Sequence, residues 1–265
     1  MGMCSPLRNK AHLSRYAFCF FWLLFWALPA RADCPPDRVT EQVGVKRVID
    51  GDTLILNDGR HLRLIGINTP ELPHDHKPGE PGALAARQEL TRLISQAGNK
   101  LAIRPGAETQ DRYGRLLAHT FLPDGPSITA SLLSQGLGFP VTIPPNTWQQ
   151  GCYRRSAEQA RTKRLGVWGM SYWQPLNAAR LKRSTTGFRR VIGVVEHVGQ
   201  SRQAIWLDFP GDFAVRIPRK DLAYFPDQNW NQWQGRRVEV SGWIYLAQGK
   251  PQMTIHHPGH LINIK

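Results

Sequence analysis

VGVKRVIDGDTLILNDGRHLRLIGI, residues 43–67, decides the fold. Apolar and polar residues alternate, and two turn signals, Asp50-Gly51-Asp52 and Asn57-Asp58-Gly59, cut the stretch into three runs. An Asp-Gly pair between alternating runs marks a hairpin, because glycine enters the positive φ region of such turns without steric cost. The stretch therefore predicts three strands in a meander.

Working outward, residues 74–82 are rich in Pro, Gly and charge and predict a mobile loop. Residues 83–95 place Leu84, Leu90, Leu93 and Ile94 at helical spacing. LAIRP (101–105) and LLAHTFL (116–122) predict two further strands around a polar turn at Gln110-Asp111. Residues 127–135 predict a short helix capped near Ser127 and stopped by Gly136. A third helix is predicted over 150–163, carrying Arg154, Arg155, Arg161 and Lys163, and LGVWGM (165–170) closes the unit. Five strands and three helices in this order suit a small closed barrel with helices packed on it, a mainly β, α+β class.

Residues 171–187 are weakly patterned and read as a linker. Five alternating segments follow: RRVIGVVEHV, QAIWLDF, FAVRIP, RRVEVSGWIYL and PQMTIHH. They predict a second small barrel over 188–265, of the oligonucleotide/oligosaccharide-binding (OB) kind.

Arg8, Lys10 and Arg15 precede AFCFFWLLFWALPA and then Ala30-Arg31-Ala32. This pattern predicts a signal peptide over 1–32, cleaved after Ala32, with 33–42 as an N-terminal segment before the 43–170 domain. The apolar run is short of the roughly 20 residues a membrane-spanning helix needs. Asp33 directly before Cys34 disfavours a lipoprotein anchor. The expected destination is the periplasm or the medium, with no membrane contact after cleavage. Of the four cysteines, Cys34 and Cys152 would then remain, either bonded to each other in an oxidising compartment or as two buried thiols. The net charge is +14, and losing four cations with the signal leaves +10. That excess suits a phosphate polymer as partner and equally a basic soluble protein.

Three clusters carry the chemistry. Leu62 and Leu64 share one face of their strand, so Arg63 points outward, and taken alone it reads as a solvated arginine. Asp52, Asn68 and Thr69 offer the oxygen ligands that a hard cation such as Ca²⁺ accepts, at strand ends that a meander can bring together. Taken alone they are ordinary turn residues. Asp111-Arg112-Tyr113-Gly114-Arg115 taken alone is surface. Together they meet the needs of phosphodiester hydrolysis: a base for water, cations for the phosphoryl oxygens and a bridging metal. Glu71 could serve as the base, Arg63 and Arg115 as the phosphate grip, and Asp52 and Asn68 as metal ligands.

VIDGDTLIL, RLIGINTPE and DRYGRLLAHTF, in this order, resemble the staphylococcal nuclease (thermonuclease) family over residues 43–170. The resemblance implies a five-stranded OB barrel with three helices and Ca²⁺-dependent cleavage of DNA and RNA. It implies that Asp52 and the backbone carbonyl of Thr69 ligate calcium, and that Arg63, Glu71 and Arg115 form the catalytic set. Asp50 matches a supporting acid, and Arg112 and Tyr113 match positions near the nucleotide's phosphate. Two departures stand out. Asn68 replaces a metal-binding aspartate, and fewer charged ligands mean weaker calcium binding. GFPVTIPPN (138–146) lacks the paired tyrosines that flank the base.

The expected function is therefore an exported, calcium-dependent nuclease acting on DNA and RNA as a monomer. A non-catalytic nucleic-acid-binding protein on the same barrels is the alternative, and an envelope protein binding other anions draws on charge alone. In the C-terminal unit, Trp206, Trp230, Trp233 and Trp243 read either as packing or as base-stacking platforms. His256, His257 and His260 lack an accompanying cysteine, which disfavours a zinc site.

Overall fold

The computed structural model describes residues 1–2, 34–39, 41–74, 77–123, 125–226 and 229–264. The expected signal segment, beyond its first two residues, lies outside the described residues. Residues 31–265 form one compact unit.

The meander is present as β1 (Glu41–Val48), β2 (Thr53–Leu56) and β3 (His61–Leu64), followed by a short β4 (Ile67–Asn68). Helix α1 (Ala83–Gln96) leads to β5 (Lys100–Gln110), which runs past the expected LAIRP segment, and to β6 (Leu116–Phe121). Then come α2 (Ile128–Ser134), β7 (Phe139–Pro140) and α3 (Gln150–Thr162). The barrel closes in the order β1-β2-β3-β6-β5, with β3 parallel to β6 and β1 antiparallel to β5. Leu54, Leu56, Leu62, Leu64, Leu101 and Ile103 fill it and are at most 2% exposed. That burial is the main stabilising term, about 1.5–3 kcal/mol per large apolar side chain.

The three expected helices form, but Leu84, expected on the apolar face of the first, is 58% exposed because it lies off the buried Ala86–Leu90–Leu93 stripe. The α1 face Ala86, Leu90, Leu93 and Ile94 is buried. Ser127 caps α2 by accepting from Ala130 N at 3.3 Å. Tyr153, Ser156, Ala157 and Ala160, one to two turns apart, bury one side of α3. Tyr153 lies against Gly66, where φ is +92° and an added Cβ would sit 2.3 Å from the ring. Only glycine fits there. Cys34 and Cys152 are bonded, S–S 2.04 Å, which ties the segment before β1 to α3.

Residues 171–187, expected as a linker, are built into the structure. Trp173 is 3% exposed and donates Nε1–H to Pro81 O at 2.8 Å, and β8 (Leu176–Asn177) pairs with β9 (Gly187–Val194). The polar surroundings of Trp173 hid an anchor that only tertiary contacts define. The next strands are β10 (His197–Gln200), β11 (Ala204–Asp208), β12 (Ala214–Pro218), β13 (Arg237–Ala247), β14 (Lys250–Thr254) and β15 (Leu261–Asn263). RRVIGVVEHV, expected as one strand, is thus two. β9 pairs with β13, β10 pairs with β11, and the bend falls at Val195-Glu196. Its N–H groups stay satisfied, Val195 by Arg236 O at 3.0 Å and Glu196 by Asp208 O at 2.8 Å. The sheet runs β10-β11-β12-β14-β13-β9-β8, with β12 parallel to β14, so its pairing repeats the order of the first barrel.

The two halves meet through buried groups. Phe139 packs on Trp168, Trp173 and Phe188 at centroid distances of 5.0, 5.2 and 5.1 Å. Glu239, 5% exposed, lies between Arg161 (3.0 Å) and Arg190 (2.8 Å). His260 meets Thr142 N at 3.0 Å through Nε2 and the Ser241 hydroxyl at 3.3 Å through Nδ1. His256 pairs with Asp221 at 2.7 Å, and His257 accepts from Gly259 N at 3.0 Å. Each of the three histidines thus has a protein partner.

Candidate active site

Asp52 sits at the entry to β2 and is 3% exposed. A carboxylate buried this deeply needs partners. Its Oδ2 accepts from Thr69 N (2.7 Å) and the Thr69 hydroxyl (3.0 Å) and lies 3.0 Å from Arg63 Nη2, and Oδ1 accepts from the Thr53 hydroxyl at 3.2 Å. The two chain segments that the sequence set 17 residues apart are therefore locked together. Gly51 makes the approach possible, since a Cβ there would fall 2.8 Å from Thr69 Oγ1 and 2.6 Å from Ala86 Cβ.

Arg63 is on the outer face of β3, as its neighbours Leu62 and Leu64 require, but it is not solvated. Its side chain is 14% exposed. Nη1 donates to Leu64 O and Ile67 O, both at 2.9 Å, and Nη2 reaches Asn68 Oδ1 at 3.5 Å. The guanidinium thus holds the turn that carries Asn68 and Thr69. Asn68 is 3% exposed and its strand pairs with Phe139.

Arg115 stands in the turn one residue before the neighbouring strand, β6. Leu62 lies opposite Leu116 in the parallel β3–β6 pair, so Arg115 shares the outer face with Arg63. Its Nε donates to Asp111 Oδ2 at 2.7 Å. Among the described residues its Nη atoms have no hydrogen-bond partner. Burial pushes the Asp111 carboxyl up, but N–H groups of Arg115 and Tyr113 and the Arg115 guanidinium outweigh it and hold the group below its ordinary value. Tyr113 is 68% exposed, and its hydroxyl accepts from Arg112 Nη2 at 2.7 Å.

The acids repel one another. Burial, then the Asp52 charge, pushes Asp50 up to about 7, against the N–H of Asp52 that its Oδ1 accepts at 3.0 Å. Glu71 is also raised, by burial and then by Asp52, with Arg63 opposing. Asp52 thus adds to the cost of charging both acids, and Arg63 offsets it only in part. Among the described residues, no three His, Cys, Asp or Glu side chains gather as a metal cluster. The available donors are the carboxylates of Asp50 and Asp52, the Asn68 amide oxygen and the Thr69 carbonyl. Hard oxygens around unneutralised charge fit a hard cation, with fewer charges than a tight site uses.

One positioning residue had no sequence signal. Glu80 Oε2 accepts the Glu71 N–H at 2.9 Å, while Glu80 N donates to Glu71 O at 2.8 Å. The described residues of the 74–82 loop are thereby fastened to the site at this end. Arg189, from β9, lies 3.8 Å from Glu80 Oε1. Such pairing across a loop leaves no periodic trace.

A closed five-stranded barrel with two arginines on one face, beside crowded carboxylates, is the equipment of a phosphodiester-cleaving hydrolase. Residues 61–170 match the staphylococcal nuclease homologue family. The chain is 33% identical to the thermonuclease of Staphylococcus intermedius over 127 residues, 47% of this chain and 74% of that protein. It is 32% identical to the thermonuclease of Staphylococcus hyicus, again over 127 residues, 47% of this chain and 73% of the relative. Endonuclease YhcR of Bacillus subtilis (strain 168) is 26% identical over 147 residues, 51% of this chain and 12% of that protein. The chain belongs to the staphylococcal nuclease family, and it is a nuclease.

Proposed function

We propose that this nuclease is exported and calcium-dependent, and that it cleaves DNA and RNA at the face shared by Arg63 and Arg115. The observation that carries the reading is the Asp52–Thr69–Arg63 lock, which sets buried oxygens, a fixed guanidinium and Glu71 on adjoining turns. Calcium, when bound, supplies a Lewis acid for phosphate and water, and Asp52, Asn68 and the Thr69 carbonyl would hold it, with Asp50 in support.

The chain's own groups do the rest. Arg63 is preorganised by two carbonyls, so it meets charge growing on the phosphoryl oxygens with little reorganisation. Arg115 offers its open Nη edge to the same phosphate. Glu71, its carboxyl made more basic by burial and by the Asp52 charge, orients the attacking water and accepts its proton. Arg112 and Tyr113 contact a neighbouring phosphate from the exposed turn. Residues 43–170 form the catalytic domain and 188–265 an OB-like domain, with 171–187 between them. Trp243, 41% exposed, offers that second domain a stacking platform, whereas Trp230 is packing. The Cys34–Cys152 bond supports an oxidising destination, reached after cleavage behind Ala32. No helix among the described residues is long and apolar enough to cross a membrane. We assign the working form as a monomer.

Cutting of plasmid DNA and of single-stranded DNA and RNA, in calcium and then in chelator, tests the reading. Chelator-sensitive cutting of all three is the expected result. Equal rates with and without chelator would remove the metal from the account.

A further inference from the structure

A groove of about 240 Å³ lies between β1 and α1, on a side of the barrel that the site above does not use. Its floor is apolar, formed by the buried Val45, Val48 and Ile94. Its rim carries Lys46, Arg47 and Arg87, all exposed, and no carboxylate lines it. Among the described residues none of the three cations has an ion-pair partner. The α1 acid Glu89 is engaged elsewhere, with Arg92 and Gln135.

The backbone presents two of these cations deliberately. Val45 lies opposite Leu56 and Arg47 opposite Ile55, so two steps along β1 match one along β2. Lys46 is the extra residue of a β-bulge. In a regular strand Lys46 and Arg47 would face opposite sides. The bulge breaks that alternation, and both become exposed between the buried Val45 and Val48. The bulge falls where β1 passes from pairing with β5 to pairing with β2, so the bend that closes the barrel also turns both cations outward.

The groove leads to the site. Val48, at one end, is two residues from Asp50, and Arg87 follows Ala86, which packs against Gly51 beside Thr69. We propose that the groove is a phosphate-binding track for the substrate strand beyond the scissile phosphate, with Lys46, Arg47 and Arg87 each meeting a phosphodiester. This rests on the assignment of the scissile phosphate to the Arg63–Arg115 face. The track has a length requirement. A dinucleotide, with its single phosphodiester at the site, has no phosphate left for the track, and a long single strand does.

Steady-state cutting of both substrates by the full chain, at several salt concentrations, tests the track. In the triple variant Lys46→Gln, Arg47→Gln, Arg87→Gln, KM for the long strand should rise about tenfold with kcat kept, and its logarithmic salt slope should become shallower by about two. Dinucleotide kinetics should stay unchanged. Arg92→Gln, with its side chain paired to Glu89, should change neither substrate and controls for lost charge on α1. An unchanged KM and slope for the long strand would overturn the proposal, as would an equal rise for both substrates. Failure of the site assignment would show separately, as undiminished cutting by Arg63→Ala.

Discussion

The two strand systems use the same pairing order and put an arginine at the same place. Arg63 lies between Leu62 and Leu64 on β3, and Arg216 lies between Val215 and Ile217 on β12. Their surroundings differ. Opposite Arg63 is Thr53, next to Asp52, and the turn before β2 reads Asp50-Gly51-Asp52. Opposite Arg216 is Trp206, and the turn before β11 reads Ser201-Arg202-Gln203. One frame therefore carries acids that fix and polarise its arginine, and the other carries an aromatic and one further cation. The frame determines where a side chain can stand, while the turn residues determine what chemistry is available there.

Replacing the two arginines separates these roles most sharply. Arg63→Ala should lower kcat by roughly a hundred- to a thousandfold, the scale for losing one preorganised charge-stabilising group. Arg216→Ala should leave kcat within about twofold, an ordinary surface result. Comparable losses in both variants, measured by steady-state kinetics, would mean that the second frame takes part in the chemistry.

The seam between the halves comes next. Glu239→Ala leaves the buried Arg190 without its partner, a loss of about 3–5 kcal/mol. By calorimetry the melting temperature should fall by roughly 10 °C. Cys152→Ser opens a linkage spanning 118 residues and should cost about 2–5 kcal/mol. A melt unmoved by Glu239→Ala would show that the halves hold their structures independently.

Acid should loosen both halves. Burial pushes His119 down to about 3 and His260 down to about 4, so the folded protein keeps them neutral. Their contribution is complete above the ordinary histidine value of 6.5 and is lost as the pH falls from there toward 4 and then 3. The melting temperature should drop over that window, and His260→Gln should flatten the drop.

Much of this was legible in the sequence. Alternation and Asp-Gly turns announce the meander, spaced Leu and Ile residues announce the first helix, and Ser127 and Gly136 bound the second, because these signals are local. The motif order also brings Asp52, Arg63, Thr69 and Arg115 to notice. Less legible was what ties them together. Nothing local says that Arg63 Nη1 spans two carbonyls, that Glu80 holds the Glu71 N–H, or that Trp173 anchors a polar stretch. Those are pairings between turns, and turns carry no period. The bend at Val195-Glu196 was hidden for another reason, since no glycine, proline or asparagine falls on it.

The smallest effect concerns Asn68. Restoring a charge by Asn68→Asp should lower the calcium needed for half-maximal cutting several-fold with kcat little changed. An unchanged calcium titration would take Asn68 out of the metal's contacts.

The claim that the acid-rich turns of the first barrel perform the hydrolysis is tested most directly by Glu71→Gln. Single-turnover cleavage of an oligonucleotide is measured alongside calcium binding by calorimetry on the same protein. The cleavage rate should fall by roughly a hundred- to ten-thousandfold, the range for losing a positioned base, while calcium affinity is retained. Undiminished cleavage with calcium bound would contradict the assignment of Glu71 and, with it, the reading of this face as the active site.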